Sequence, residues 1–259
     1  MGIGKQRSKI SDRNSHRNFA RQRLSFAFIL VLLLMAGPAL AWGDQTYSME
    51  AIKLKVSARL PQSMVDALSP AGVRVIGDSD GAKTAICEIF WAARGIAVQE
   101  STPGATKLLY GNVKPGTFVG VIHFLITKRY VRDYRTQMLK PGYYTMRYIG
   151  MPEAVEAGGF DFVMLSPLSA DRTPSQIPPL DELVRRGRLA SRTRRPLAMS
   201  LVEVDTDQKF PSLITDDEGT CVLQVKLHLK SAKSKKSDTP QEVSLALIVV
   251  TSIPEDLGD

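Results

Sequence analysis

Three side chains in this sequence have the types that acid–base chemistry uses: His123, Glu88 and Asp161. An imidazole titrates near neutrality, and a carboxylate beside it can fix its tautomer or take its proton. Beyond residue 41 the only histidines are His123 and His228, so histidine chemistry there rests on one of the two. No H-x-H, H-E-x-x-H or Cys/His cluster occurs, so no metal site of standard spacing is signalled and no cofactor is implied. A G-x-S-x-G elbow is absent, and Gly158-Gly159 has no helix after it to cradle a phosphate. His123, Glu88 and Asp161 each fall inside a strand-like run. The commoner role of a histidine there is a hydrogen-bonded or edge-exposed strand residue. The three are the candidates of an enzymatic alternative, an envelope hydrolase or metal-dependent enzyme using His123 with nearby carboxylates.

Other residue types suggest binding. Tyr143, Tyr144 and Tyr148 would form a surface for a sugar or a protein if exposed; buried tyrosines with bonded hydroxyls are the commoner case. Arg185, Arg186 and Arg188 belong to the densest basic patch after residue 41 and offer contact with an anionic surface, or else a solvated helix face. Cys87 and Cys221 lie far apart in strand-like runs. They are either a disulfide, which an oxidising compartment permits, or two buried apolar thiols.

These residues must be positioned by short strands. Ile52–Ala58 alternates apolar and polar residues, the period of a half-buried strand. Thr84–Trp91 is apolar on both parities and reads as a strand within a sheet. Lys114-Pro115-Gly116 and Lys140-Pro141-Gly142 are turns that each launch a β-rich run. In the second run Tyr144, Met146 and Tyr148 fall on one face, and Tyr143, Thr145 and Arg147 on the other. Gly120 inside the first marks a bulge or close packing. Phe160–Leu165, Leu197–Val204, Cys221–Leu229 and Val243–Val250 follow, the last two as a hairpin with a basic tip. One helix stands out, Leu180–Ser191, with an apolar stripe of Leu180, Leu183, Val184 and Leu189 that Gly187 weakens. The pattern predicts a mainly β fold, an antiparallel β-sandwich over residues 42–259 with a helical insertion at about 171–196.

The N-terminus reads as a targeting segment. Seven Lys/Arg precede an apolar run from Leu24 to Ala36, and Ala39-Leu40-Ala41 supplies small residues for a cut before Trp42. Residues 1–41 are therefore expected to be a signal peptide with a helical core, read by the general secretory route. The destination is periplasmic or extracellular, with membrane contact only if that helix stays uncleaved. The chain carries +8, of which +6 belongs to residues 1–41, so the basic character gives no argument for nucleic acid.

The stretch Leu139–Tyr148, with Gly116–Phe124 and Asp161–Leu165, resembles the launch turns and strands of uncharacterised bacterial exported proteins. It is similar to the DUF2911 family and to transthyretin-like sandwich modules over residues 50–168. The resemblance implies a sandwich and export and transfers no catalytic residue. The expectation is a non-enzymatic, exported cell-envelope module that binds a protein, a glycan or a small ligand.

Overall fold

The computed structural model describes residues 46–55, 59–79, 82–93, 95–99, 108–125, 137, 139–151, 160–191, 193–217, 219–230 and 242–250. All belong to one compact unit, Gln45–Asp259. The expected signal segment and the tip of the last hairpin lie outside the described residues. Among the described residues no helix is long and apolar enough to cross a membrane.

The strands are β1 (Thr46–Lys53), β2 (Leu68–Ser79), β3 (Ala82–Ala92), β4 (Ile96–Ala97), β5 (Phe118–Phe124), β6 (Gly142–Met151), β7 (Phe160–Pro167), β8 (Leu197–Val202), β9 (Ser212–Thr215), β10 (Cys221–Lys230) and β11 (Glu242–Val250). Among the described residues two helices accompany them, α1 (Gln62–Val65) and α2 (Leu180–Ala190). Hydrogen bonds run along one path, β1-β2-β3-β5-β6-β7-β8-β11-β10-β4, with β9 also on β10. Among the described residues every strand pairing is antiparallel except β10 with β4.

The mainly β, antiparallel expectation holds, with a different closure. A sandwich keeps two sheets apart; here the strands form one sheet, nearly closed into a barrel. Tyr47 and Met49 of β1 and Leu213 of β9 pack on the same inner cluster from opposite ends of the path. Alternation reports only that each strand has a buried face, which both architectures share. What decides is that β8 pairs with β11, which joins the N-terminal strands to the C-terminal hairpin.

Inner side chains come from every second residue. Met49, Val75, Cys87 and Phe124 occupy successive cross-strand positions, as do Ile89, Ile122 and Tyr144. They belong to one cluster that also takes Val163, Leu201, Leu223 and Leu247. The bulge expected at Gly120 is present, as a register shift between Phe118 and Gly120. Leu108–Tyr110 opens a turn.

The outer face carries two further apolar patches. Leu60, Met64 and Leu68 cover Phe90, Phe118 and Val121. Helix α2 sets Leu183 on Ile149, Phe162, Met164 and Ala198. Its buried stripe is Leu183, Gly187 and Ala190, whereas Leu180 and Leu189 are exposed. Gly187 does not break the helix. A Cβ there would lie 2.8 Å from the Met164 sulfur, so glycine is what lets α2 sit close to β7. Strand β6 is thus covered on both sides. Tyr144, Met146 and Tyr148 are buried inside, while Thr145 and Arg147, on the opposite face as alternation had it, are buried on the outside.

Candidate functional site

The outer face of the sheet holds a row of polar side chains. Glu50 faces Arg74, Arg74 faces Glu88, Glu88 faces His123, and His123 faces Tyr143. Cross-strand neighbours lie close enough for direct contact. Arg74 donates Nη2 to Glu88 Oε1 at 2.7 Å and also pairs with Glu50. His123 Nδ1 lies 3.2 Å from Glu88 Oε2, and its ring stacks on Tyr143 at 3.8 Å. Burial pushes the Glu88 carboxyl up, but the hydrogen bonds from Arg74 and His123 outweigh it and hold the group below its ordinary range. Both Glu88 oxygens are thereby engaged.

The structure brings His123 and Glu88 together and keeps Asp161 apart. Asp161 lies inside the barrel, where it accepts hydrogen bonds from the Tyr148 hydroxyl at 2.5 Å and the Leu109 N–H at 2.9 Å. Its partner on β6, Gly150, is seven residues from Tyr143, the partner of His123. That separation is about 23 Å along an extended strand. The triad grouped from sequence therefore does not assemble, because strand register and face set it and neither is visible in the spacing of the residues. Among the described residues, no group of three His, Cys, Asp or Glu comes together as a metal site.

The tyrosines do not share one surface. Tyr144 and Tyr148 point inward with bonded hydroxyls, Tyr144 donating to the Lys140 carbonyl at 2.9 Å. Tyr143 is half-buried on the outside. The arginines also divide. Arg185 and Arg188 are exposed, with Arg185 paired to Glu182, whereas Arg186 turns in and donates to Asp171 at 2.9 Å. Cys87 and Cys221 are free, buried thiols of the same inner cluster. Burial pushes both up, Cys221 to about 12, which keeps them protonated and unreactive.

A feature that the sequence did not single out organises the outer face. Arg147 is fully buried, and all five of its N–H donors are used. Nε and Nη2 grip Asp171 at 2.5 and 2.9 Å. Nη1 donates to the carbonyls of Gly116 and Gln176, and Nη2 also to that of Thr173. Asp171 accepts in turn from the Thr145 hydroxyl at 2.8 Å and from Arg186. Taking two ions out of water costs several kcal/mol each, and only such complete pairing offsets it. The cluster ties segment 171–176 to β6 and to the turn before β5. Gly116 makes this close approach possible. Its φ is +82°, and a Cβ would lie 2.7 Å from the Pro178 carbonyl.

The clamped segment forms one wall of a cleft of about 530 Å³. Arg172, Thr173, Pro174, Ser175 and Ile177 line it on that side. Ser63, Asp66 and Ala67, at and just after α1, face them, and the Ser63 hydroxyl donates to the Arg172 carbonyl at 3.0 Å. Ala92, Gly95, Ala97, Thr117, Phe118 and Lys230 complete the lining. Thr117 is buried, and its hydroxyl has no hydrogen-bond partner among the described residues. The Glu88–His123 pair lies outside the cleft, with Glu88 four residues along β3 from Ala92. No family model, curated protein or solved structure matches this chain.

Sequence reasoning missed Arg147, Asp171, Thr117 and the cleft. The residues of the cleft come from six separate segments, and no local spacing links them. One signal was available for Asp171: an acidic residue opening a proline-rich stretch with no helix of its own to cap.

Proposed function

We propose that this chain is an exported cell-envelope protein that binds a small ligand without converting it, and that the cleft between α1 and segment 172–177 is the binding site. The observation that carries the reading is the cleft itself, mostly apolar with a few polar groups, its wall fixed by the buried Arg147–Asp171 pair. Ligand sites have that composition and are largely formed before the ligand arrives. Export is supported by the basic, apolar and small-residue order of residues 1–41. The resemblance to exported sandwich modules points the same way. A glycan or protein ligand seated on Tyr143, Tyr144 and Tyr148 has less support, since of these three Tyr143 alone is accessible.

The enzymatic alternative keeps one supporting contact, His123 to Glu88. Against it, Glu88 is already engaged by Arg74, and the pair lies outside the cleft. The test uses the full chain produced in a secreting host. Intact mass should give a mature protein beginning at Trp42. Neutral oligosaccharides, short peptides and organic acids are then screened by thermal shift. At least one class should raise the melting temperature, and Ser175→Trp, which fills the cleft from an exposed position, should remove the shift. A shift unaffected by Ser175→Trp, or none from any class, overturns the cleft as the site. Turnover of a screened compound that His123→Ala abolishes overturns the non-enzymatic reading.

A further inference from the structure

We infer that the end of the sheet where β6 and β8 begin docks on an anionic phospholipid bilayer, through Lys140, Arg188, Arg194 and Arg195, with the Leu189 side chain set into the interface. This contact is separate from the cleft and from the N-terminal segment. Topology places the residues together. β6, β7 and β8 are consecutive and antiparallel, so β6 and β8 start at the same end. Lys140 lies two residues before β6, and Arg194 and Arg195 lie just before β8. Helix α2 ends there too, since only Ser191 to Pro196 separate it from β8. A Cβ on Gly187 would lie 3.2 Å from the Pro196 Cβ, so the chain before β8 passes beside the last turn of α2. That turn carries Arg188 and Leu189.

Charge and exposure select the partner. Lys140, Arg188, Arg194 and Arg195 are exposed, and none forms an ion pair among the described residues. Arg185 and Arg186, by contrast, are neutralised by Glu182 and Asp171. Among the described residues, the carboxylates at that end of the strands are Asp78, Asp216 and Asp217, on β2 and after β9. Those strands stand near the two ends of the path, whereas the cations flank its middle. Beyond residue 41 the chain is close to neutral, so attraction depends on where the cations sit rather than on net charge. Leu189 is 60% exposed, the highest among the large apolar side chains described. A soluble polyanion gives the arginines a partner and the leucine none. A bilayer surface serves both, with phosphates for the guanidiniums and an apolar boundary for the side chain among them. Arg194 adds to this. Its φ is +60°, a left-handed conformation that favours glycine and crowds any Cβ. Backbone strain of this kind clusters at functional positions, and the residue held in it here is an exposed cation.

The chain secreted by a host is cosedimented, at physiological ionic strength, with large unilamellar vesicles of phosphatidylcholine alone or with about one third phosphatidylglycerol. The mixed vesicles should bind at least about tenfold more tightly. Arg194→Gln and Arg195→Gln should each weaken that binding about fivefold, the share of one basic residue near an anionic surface. Lys53→Gln makes the same charge change at an exposed position of the opposite end, because β1 runs in the direction of β6 and Lys53 closes it. It should alter binding by less than about twofold, since the charge lies beyond the screening length. Leu189→Ser should weaken vesicle binding several-fold and leave binding to sodium polyphosphate unchanged. Arg194→Gly should weaken vesicle binding as Arg194→Gln does without lowering the melting temperature, since glycine adopts that φ unstrained. A retained leader is common to all variants, so their differences read this end alone. No binding, equal binding to the two vesicles, or variants that bind as the parent does overturns the inference. A loss from Lys53→Gln equal to that from Arg194→Gln overturns the basic end in favour of bulk charge. Polyphosphate bound as tightly as vesicles, with Leu189→Ser silent on both, overturns the bilayer in favour of a soluble polyanion. A lower melting temperature for Arg194→Gly overturns the strain assigned to Arg194.

Discussion

Replacing Asp171 by alanine strips the carboxylate from a guanidinium that has no exposure to solvent. Arg147 keeps its three carbonyl contacts, but carbonyl dipoles do not neutralise a full charge. Removing one partner of a buried ion pair costs about 3–5 kcal/mol, because the other charge stays in low dielectric. Arg186 also loses a contact, yet retains Glu182 and partial exposure, so its share is small. For a folded unit of this size the cost corresponds to a fall in melting temperature on the order of 10 °C. Urea unfolding at pH 7, followed by tryptophan fluorescence, should show a lower midpoint with unchanged slope. The double variant Arg147→Met with Asp171→Leu sharpens the test. Exchanging a buried ion pair for apolar groups is often neutral. Here it leaves the Gly116, Thr173 and Gln176 carbonyls without their donor, at about 1–3 kcal/mol each. The double variant should therefore stay well below the parent. A cost under about 1 kcal/mol for Asp171→Ala, or a double variant as stable as the parent, would refute the clamp.

The remaining expectations concern the glycine turn, the inner tyrosines and the thiols. Gly116→Ala puts a Cβ into a positive-φ position and against the Pro178 carbonyl. It should cost about 2 kcal/mol in the same urea assay, and a neutral result would contradict the close approach. Burial pushes Tyr110 to about 12 and Tyr148 further up. An unfolded tyrosine ionises near 10, so the stability these groups contribute is complete below pH 10 and falls as pH rises towards 12. Urea midpoints between pH 9 and pH 11.5 should decline, and Tyr148→Phe should flatten the slope; identical slopes would remove Tyr148 from the account. In protein purified with reductant, Cys87 and Cys221 should be silent to a thiol reagent in the native state and both react after unfolding. A thiol that reacts in the native protein is not sealed in the core.

Where the sequence was informative, the reason is local. Pro141-Gly142 and the β-rich run behind it encode a turn and a strand within ten residues, and β6 begins at Gly142. Helix α2 was legible from its apolar stripe with arginines elsewhere, but the stripe was right only in part: Leu183 is buried and Val184 packs beside it, whereas Leu180 and Leu189 are exposed. Leu183, Gly187 and Ala190 do not look apolar enough as a set until β7 is seen against them. Alternation put Arg147 on the face opposite Tyr144, Met146 and Tyr148 without saying what covers that face. Its burial depends on a segment more than twenty residues later folding back over the sheet. His123 and Glu88 were correctly placed in strands, and their contact follows from register. Asp161 failed to join them because alternation says that two faces exist without saying which one a distant strand shares.

The Tyr110 hydroxyl donates to the Val202 carbonyl at 2.7 Å and accepts from the Ala246 N–H at 3.1 Å. It thus bridges β8 and β11, which pair directly over only Ala246–Val202 and Leu247–Leu201. The other main pairings along the path join strands close in sequence, from β1 through β8 on one side and β10 with β11 on the other. Local pairings form early in folding, and distant ones wait for loop closure. The order of assembly follows: an N-terminal meander and a C-terminal hairpin take shape separately, then meet at this seam. Tyr110 is the latch of that last step. Tyr110→Phe should leave the two halves intact and slow their joining, a kinetic lesion that refolding measurements would detect where an equilibrium melt would register only a modest loss.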